Sequence, residues 1–283
     1  MQNFAARHAA FRKLHESGCF VIPNPWDAGS ARYLCRLGFQ ALATTSSGSA
    51  FSRGLPDGER GLPLEEALQH IAEITAATNL PVNADFQSGY ASDPGGVAEN
   101  VRLCLGTGVS GLSIEDATGD RSDPLYEPQL AVERVQAARD AIDRAGSGVL
   151  LTARAECYLT RHAEPLKESI RRLQAYAQAG ADVLYAPGVK DRAEIREIVG
   201  AVSPKPVNVL MSANIGLKLA DLAELGVRRV SVGSALARAA WTGFIRAARL
   251  ISGEGSFAGL DGLVGVAELN EFFRPDAAKR SHS

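Results

Sequence analysis

The 283-residue sequence predicts an α/β fold, a (β/α)8 TIM barrel carrying a short C-terminal helical extension. Three observations predict it. Eight short apolar runs recur along the chain, each leading into a helix-like stretch. Runs such as Val149-Leu150-Leu151 are continuous rather than alternating, as parallel strands covered by helices should be. Glycine punctuates the helix exits in Leu37-Gly38-Phe39, Thr107-Gly108-Val109, Ala179-Gly180-Ala181 and Leu225-Gly226-Val227, where a left-handed residue ends a helix. A doubly wound sheet is the main competitor, but no G-x-G-x-x-G follows the first strand.

In order, Phe20-Val21-Ile22 reads as the first strand, and Asn24-Pro25-Trp26-Asp27 leads into a helix from Ala28 to Leu37. Ala41 to Thr45 is the second strand, followed by a long Gly/Ser loop through Asp57 and a helix from Leu64 to Ala77. The third pair is Pro81 to Asp85 with Pro94 to Leu105; the fourth is Gly111 to Glu115 with Pro128 to Ala145. The fifth is Val149 to Ala153 with Pro165 to Ala179; the sixth is Ala181 to Ala186 with Arg192 to Val199. Pro206 to Met211 precedes a helix from Gly216 to Leu225, and Arg229 to Val232 enters a last helix at Ser234. The barrel is expected to span 1–251. Residues 252–283 then form a flexible connector (Ser252-Gly253-Glu254-Gly255-Ser256), an amphipathic segment from Val264 to Phe273 and a polar tail. Leu269, Phe272 and Phe273 call for cover, by the barrel or by a partner subunit.

Hydrophobic residues at 46% and charged residues at 22% fit a globular protein with a sizeable core. A net charge of −2 without a basic stripe argues against nucleic acid. The N-terminal stretch lacks a signal-peptide apolar region, and no run suits a membrane span. Cys19, Cys35, Cys104 and Cys157 show no C-x-x-C spacing and read as free thiols, Cys35 and Cys104 buried in helices, so a cytoplasmic protein is expected. The five histidines make no metal-spaced pair and mostly read as surface residues, which disfavours a zinc hydrolase. No lysine lies within a strand, which disfavours a Schiff-base aldolase.

Chemistry-bearing residues stand at the C-terminal ends of the strands, which converge on one face of a barrel. Asp85 ends the third strand and Glu115-Asp116 the fourth, while Asp57 lies in the loop after the second. Mg²⁺ commonly takes one or two carboxylates with waters completing its shell. Asp85 is therefore the direct ligand candidate, with Glu115 and Asp57 holding coordinated waters. Asp116 and Asp123 read as helix caps or solvated loop acids. Arg154 ends the fifth strand and offers a planar fork for a carboxylate or phosphonate, or an ion pair with Glu156 or Glu115. Thr44 to Ser49 supplies hydroxyls and N–H groups suited to a carboxylate or oxyanion. Gly233-Ser234 stands at a common phosphate position, or is an ordinary N-cap.

In this order the motifs Asn24 to Ala31, Thr44 to Gly48 with Gly54-Leu55-Pro56-Asp57, Asp85-Phe86-Gln87-Ser88-Gly89-Tyr90, Ser113-Ile114-Glu115-Asp116, Thr152-Ala153-Arg154 and Pro206 to Leu210 resemble the isocitrate lyase/phosphoenolpyruvate mutase superfamily, over roughly Phe11 to Ala240. The resemblance implies a Mg²⁺ site, with Mn²⁺ as a substitute, that binds an α-keto acid or its enolate and makes or breaks a C–C or P–C bond. It implies a metal set of Asp85, Gln87 and Glu115, with Arg154, Asp57 and Glu115 as the catalytic residues. Substrate would meet Trp26, Thr45, Ser46, Ser47, Asp85, Arg154 and Asn208, the last as a polar wall. It further implies a homo-oligomer, dimer or tetramer.

The departures narrow the reading. Gln87 stands where the superfamily often has an acid. The lyases' Cys-centred loop is replaced by Ala117 to Tyr126, which lacks cysteine, histidine and the mutase's Lys-Thr-Asn. The mutase histidine after the sixth strand is absent from Tyr185-Ala186-Pro187-Gly188. The expected function is a Mg²⁺-dependent lyase or decarboxylase for a small α-keto or hydroxy dicarboxylate such as oxaloacetate, with residues 119–127 as its lid. The alternatives are a phosphonopyruvate-type hydrolase or mutase, and a keto-acid-binding barrel without turnover.

Overall fold

Strand and helix alternate around the barrel in this computed structural model, which describes residues 4–58 and 61–280. The order is α1 (Phe4–Leu14), β1 (Phe20–Ile22), α2 (Ala28–Arg36), β2 (Leu42–Ala43), α3 (Ser46–Ser52) and α4 (Leu64–Ala77), then β3 (Val82–Asp85) and α5 (Pro94–Leu105). There follow β4 (Gly111–Glu115), α6 (Pro128–Arg144), β5 (Leu150–Arg154), α7 (Pro165–Gln178), β6 (Val183–Tyr185), α8 (Arg192–Val202), β7 (Val207–Leu210), α9 (Leu219–Glu224), β8 (Arg229–Ser231), α10 (Ala235–Glu254) and α11 (Val266–Arg280). All ladders are parallel, in the order β1-β8-β7-β6-β5-β4-β3-β2, and a TIM barrel is the fold. Between β1 and β2 the seam is held by Ala43 N–H donating to Pro23 O at 3.0 Å. Asn24 stitches the same seam: its Nδ2 donates to Thr44 O at 2.8 Å, and its Oδ1 accepts from the Val232 and Gly233 N–H groups at 3.0 and 2.9 Å. The Gly233 N–H is thereby spent on barrel closure, which removes it from the phosphate role considered above.

The helices start where their caps dictate. Asp27, Asp93 and Asp191 accept from first-turn N–H groups of α2, α5 and α8, satisfying donors that no helical carbonyl reaches. Outside the barrel, Val97, Val101, Val135, Ala138, Leu173 and Ile195 pack against the outward strand residues Leu112, Leu151 and Leu184. The floor is a separate cluster in which Phe11 packs with Phe20, Ile22, Ala41, Ala43 and Leu150.

Three segments differ from expectation. α1 is a helix the sequence pattern does not announce, since only Arg7 and Phe11 of it are buried. Arg7 ties it down by donating to Thr75 O and Thr78 O. α3 replaces the front of the expected Gly/Ser loop: Thr45 Oγ1 caps it by accepting from Gly48 N–H, so a serine-rich stretch of poor helix formers still turns helical. Further on, α10 runs through Ser252-Gly253 to Glu254, where a flexible connector was expected.

The chain divides after Ala237 into two compact units. In the second, Phe272 and Phe273 stack edge to face at 5.0 Å, and Leu269 is exposed. No helix among the described residues is long and apolar enough to cross a membrane. The four cysteines are free, with Cys104 and Cys157 buried and Cys35 only partly so.

Candidate active site

At the strand ends one guanidinium is shared by three acids. Arg154 Nη1 donates to Asp85 Oδ1 at 2.8 Å and lies 2.9 Å from Glu115 Oε2, while its Nε donates to Glu156 Oε1 at 2.8 Å. The strand register explains the meeting: Glu115 pairs laterally with Arg154, and the inward row of β3 ends in Asp85. The ion pairs expected with Glu115 and Glu156 both form, and Asp85 adds a third. Arg154 Nη2 makes no hydrogen bond among the described residues.

Burial works against the Arg154 charge, but Glu115, Glu156 and Asp85 outweigh it and hold the guanidinium charged far above its ordinary range. For Glu156 burial dominates, pushing its carboxyl up to about 7 against the pull of Arg154.

The run after β2 holds the acids in place. Asp85 N–H donates to Thr44 Oγ1 at 2.9 Å, and Asp85 Oδ2 accepts from both N and Oγ of Ser46 at 2.9 and 2.8 Å. Ser47 Oγ donates to Asp57 Oδ2 at 2.5 Å. Thr45, Ser46 and Ser47, expected to hold a substrate carboxylate, here cap α3 and fix two acids. Trp26 is half-buried against α3: a Cβ on Gly48 would meet Trp26 Cβ at 3.0 Å and Thr45 Cγ2 at 2.7 Å.

Gln87 adopts φ +46° and bridges two loops, its Nε2 donating to Gly58 O at 3.2 Å and its carbonyl accepting from Glu115 N–H at 2.9 Å. Its Oε1 is buried without a partner. A buried, unsatisfied carbonyl oxygen is costly unless something supplies positive charge or a hydrogen. The oxygen chemistry present suits a hard divalent cation: the Asp85 and Glu115 carboxylates with the Ser46 hydroxyl at the strand ends, and the unsatisfied Gln87 oxygen on the loop after β3. No group of three or more His, Cys, Asp or Glu side chains is close enough to hold a metal among the described residues, so the fit is to a cation that takes one or two carboxylates and completes its shell with water.

Asp57 is exposed and lines a cleft of about 700 Å³ with Leu55, Pro56, Gly58 and Gly61, facing Thr118, Asp120 and Arg121 of the loop after β4. That second loop is self-braced: Ala117 bridges Leu125 and Tyr126 N–H donates to Asp116 O. The Tyr126 ring lies 3.8 Å from the Arg134 guanidinium carbon. Tyr126 is thus an anchor, and residues 119–123 are the exposed tip that could act as a lid.

Three sequence readings need correction. Asp116 is neither a cap nor a solvated acid. It is 3% exposed, accepts from Tyr176 Oη at 2.6 Å, Arg172 Nη1 at 3.0 Å and Glu156 N–H at 2.8 Å, and braces the β5 loop from behind. Burial pushes its carboxyl up while Tyr176 and Arg172 pull it down. Asn208, expected as a polar wall for substrate, is the second residue of β7, its carboxamide committed to Ser231 Oγ and Arg229 Nε inside the barrel. His15 and His70 are buried rather than on the surface. The residue missed was Arg134, which no local pattern singles out; Thr44 and Glu156 were already named, as part of a hydroxyl run and as an ion-pair partner of Arg154.

A family model described as phosphoenolpyruvate phosphomutase matches residues 11–252. Oxaloacetate decarboxylase 1 of Pseudomonas putida (strain W619) is 32% identical over 234 residues, 80% of this chain and 78% of that protein. The 2-methylisocitrate lyase of Escherichia coli (strain K12) is 31% identical over 202 residues, 68% of this chain and 66% of that one. A crystal structure from Burkholderia cenocepacia J2315, provisionally described as a lyase/mutase, superposes with a TM-score of 0.90 at 48% identity, covering 95% of this chain and 96% of the other. With a barrel mouth of acids around one arginine and these relatives, the chain belongs to the phosphoenolpyruvate mutase family of the isocitrate lyase/phosphoenolpyruvate mutase superfamily and is an enzyme of that lyase and mutase group.

Proposed function

We propose that the protein is a Mg²⁺-dependent lyase or decarboxylase for a small α-keto dicarboxylate of the oxaloacetate type, with Mn²⁺ able to replace Mg²⁺. The observation that carries this reading is the Arg154 cluster at the strand ends, in which Asp85, Glu115 and Glu156 converge on one guanidinium. Asp85 would hold the cation directly, with Glu115, Asp57 and Gln87 around its waters. When bound it supplies Lewis-acid stabilisation of negative charge on the keto oxygen.

The chain's own residues do the rest. The substrate carboxylate lies against Arg154 Nη2, with Trp26 and the backbone of residues 45–47 beside it. Loss of CO₂ from the β-carboxylate breaks the C–C bond and leaves its electron pair in a pyruvate enolate, which takes a proton at carbon. Glu156 holds a proton near neutrality, and because Oε1 accepts from Arg154 that proton sits on Oε2. Residues 119–123 exclude water while charge develops. Asn208, from within the barrel, supports the wall without touching substrate.

The test is oxaloacetate turnover followed by NMR with and without Mg²⁺, against heat-inactivated protein as the control for spontaneous decay. Pyruvate formation that Asp85→Ala abolishes is the expected result; a rate equal to the control overturns the reading. The family model's description motivates including phosphonopyruvate, where phosphate or phosphoenolpyruvate would instead assign P–C chemistry. We further place the enzyme in the cytoplasm as a dimer or tetramer, on its free thiols and the exposed Trp241, Phe244 and Leu263 of the second unit. Light scattering checks the oligomer.

A further inference from the structure

A second guanidinium lies deep inside the barrel with no acid among the described residues to pair it. Arg229 is 3% exposed, at the start of β8. Its Nε donates to Asn208 Oδ1 at 2.8 Å and its Nη2 to Thr152 Oγ1 at 3.0 Å, and Nη1 stands 3.5 Å from His15 Nε2. None of the described residues offers it a carboxylate. Burial pulls its pKa down to about 10, partly offset by Tyr185, so it stays charged at neutral pH. A buried charge paired only with neutral groups is among the more expensive things a core can hold, and a hydrophobic residue would fill the barrel at lower cost.

The strand register shows where its influence goes. Glu115 pairs with Arg154, Arg154 with Tyr185, Tyr185 with Asn208, and Asn208 with Arg229. These are five successive lateral neighbours in one row. Strand tilt carries such a row from the mouth of a barrel towards its floor. The hydrogen bonds along it all run one way. Arg229 donates to Asn208, Asn208 Nδ2 donates to Ser231 Oγ at 2.9 Å, and Ser231 Oγ donates to Tyr185 Oη at 3.5 Å. The Tyr185 ring then lies 5.2 Å from the Arg154 guanidinium carbon. Arg229 thereby fixes which end of the Asn208 carboxamide faces Ser231, and the Ser231 hydroxyl is left to donate to Tyr185.

We propose that Arg229 is a positioning residue for Arg154, acting through the Asn208–Ser231–Tyr185 relay to fix the guanidinium on which the mouth acids converge. Arg229 touches no substrate, and Asn208, expected at the substrate wall, serves as the first link beneath it. The inference rests on Arg154 being a working part of the proposed site, but its test needs no turnover and so stands or falls apart from the reaction.

The readout is the Arg154 Nε–H signal in an arginine-labelled ¹H–¹⁵N spectrum of the full chain, assigned by its disappearance in Arg154→Lys. Its hydrogen exchange is compared with that of the Leu151 and Ala153 backbone amides. In Arg229→Gln and in Ser231→Ala, exchange at Arg154 Nε–H should accelerate by about tenfold relative to those amides, as a locally loosened side chain does. Arg229→Lys, which keeps the charge and loses the fork, should give a smaller change. If Arg229→Gln does not fold, Arg229→Lys and Ser231→Ala decide. An Arg154 rate that stays at the wild-type value, or rises only as much as the two amides, would show Arg229 to be a packing residue and overturn the proposal.

Discussion

Replacing Arg154 by methionine keeps an unbranched stem and removes the cation that Asp85, Glu115 and Glu156 share. Three ion pairs of 2.8, 2.9 and 2.8 Å disappear together, leaving Asp85, Glu115 and Glu156 without their shared cation. Breaking a buried pair on one side typically costs about 3–5 kcal/mol, and that loss is expected in urea unfolding at pH 8. The cost should depend on pH in a definite direction. Arg154 pulls the Glu156 carboxyl down from where burial would put it, so without it the folded variant holds its proton to higher pH. A folded-state pKa above the unfolded value contributes stability that is present at low pH and lost as pH rises. Going from pH 8 to pH 6, one additional proton held by the folded variant recovers as much as about 2.7 kcal/mol. Saturating Mg²⁺ should recover a similar amount, about 2.7 kcal/mol at a hundred times its Kd. An equal loss of stability at both pH values, untouched by Mg²⁺, would refute the idea that repulsion among these three acids is what Arg154 relieves.

Other perturbations follow from the same geometry. Arg134, 1% exposed, donates to the Ser88, Ala91 and Ser92 carbonyls and stacks on Tyr126. Arg134→Met should therefore cost at least about 3 kcal/mol in unfolding and loosen the loops after β3 and β4 together, which protease sensitivity at residues 119–123 would report. Gly48→Ala places a methyl 2.7 Å from Thr45 Cγ2, so turnover should fall by roughly tenfold or more from misplacing the groups that hold Asp85; a wild-type rate would mean that α3 tolerates the shift. Burial depresses His15 to about 3 and His70 to about 4. Both stay neutral in the folded state while the unfolded chain takes up protons below about pH 6.5, so between pH 7 and pH 5 each should remove about 2 kcal/mol of stability. The matching double replacement by glutamine should flatten that part of the profile, and an unchanged slope would assign it to other groups.

Much of this protein is written locally. The continuous apolar runs, the helix-ending glycines and the Asp caps at 27, 93 and 191 each act within a few residues, so the eight strand–helix units and most of their boundaries are legible in the sequence. So are Asp85, Glu115 and Arg154, because a barrel brings every strand end to one face whatever the loops do. What only the tertiary structure decided is who meets whom. Lateral register places Arg154 between Asp85 and Glu115, commits Asn208 to Arg229, and turns Asp116 inward onto Tyr176 and Arg172. Burial then lifts Glu156 to about 7 and strips the charge from His15. Register and desolvation depend on residues tens to hundreds of positions away, and no short stretch of sequence carries them.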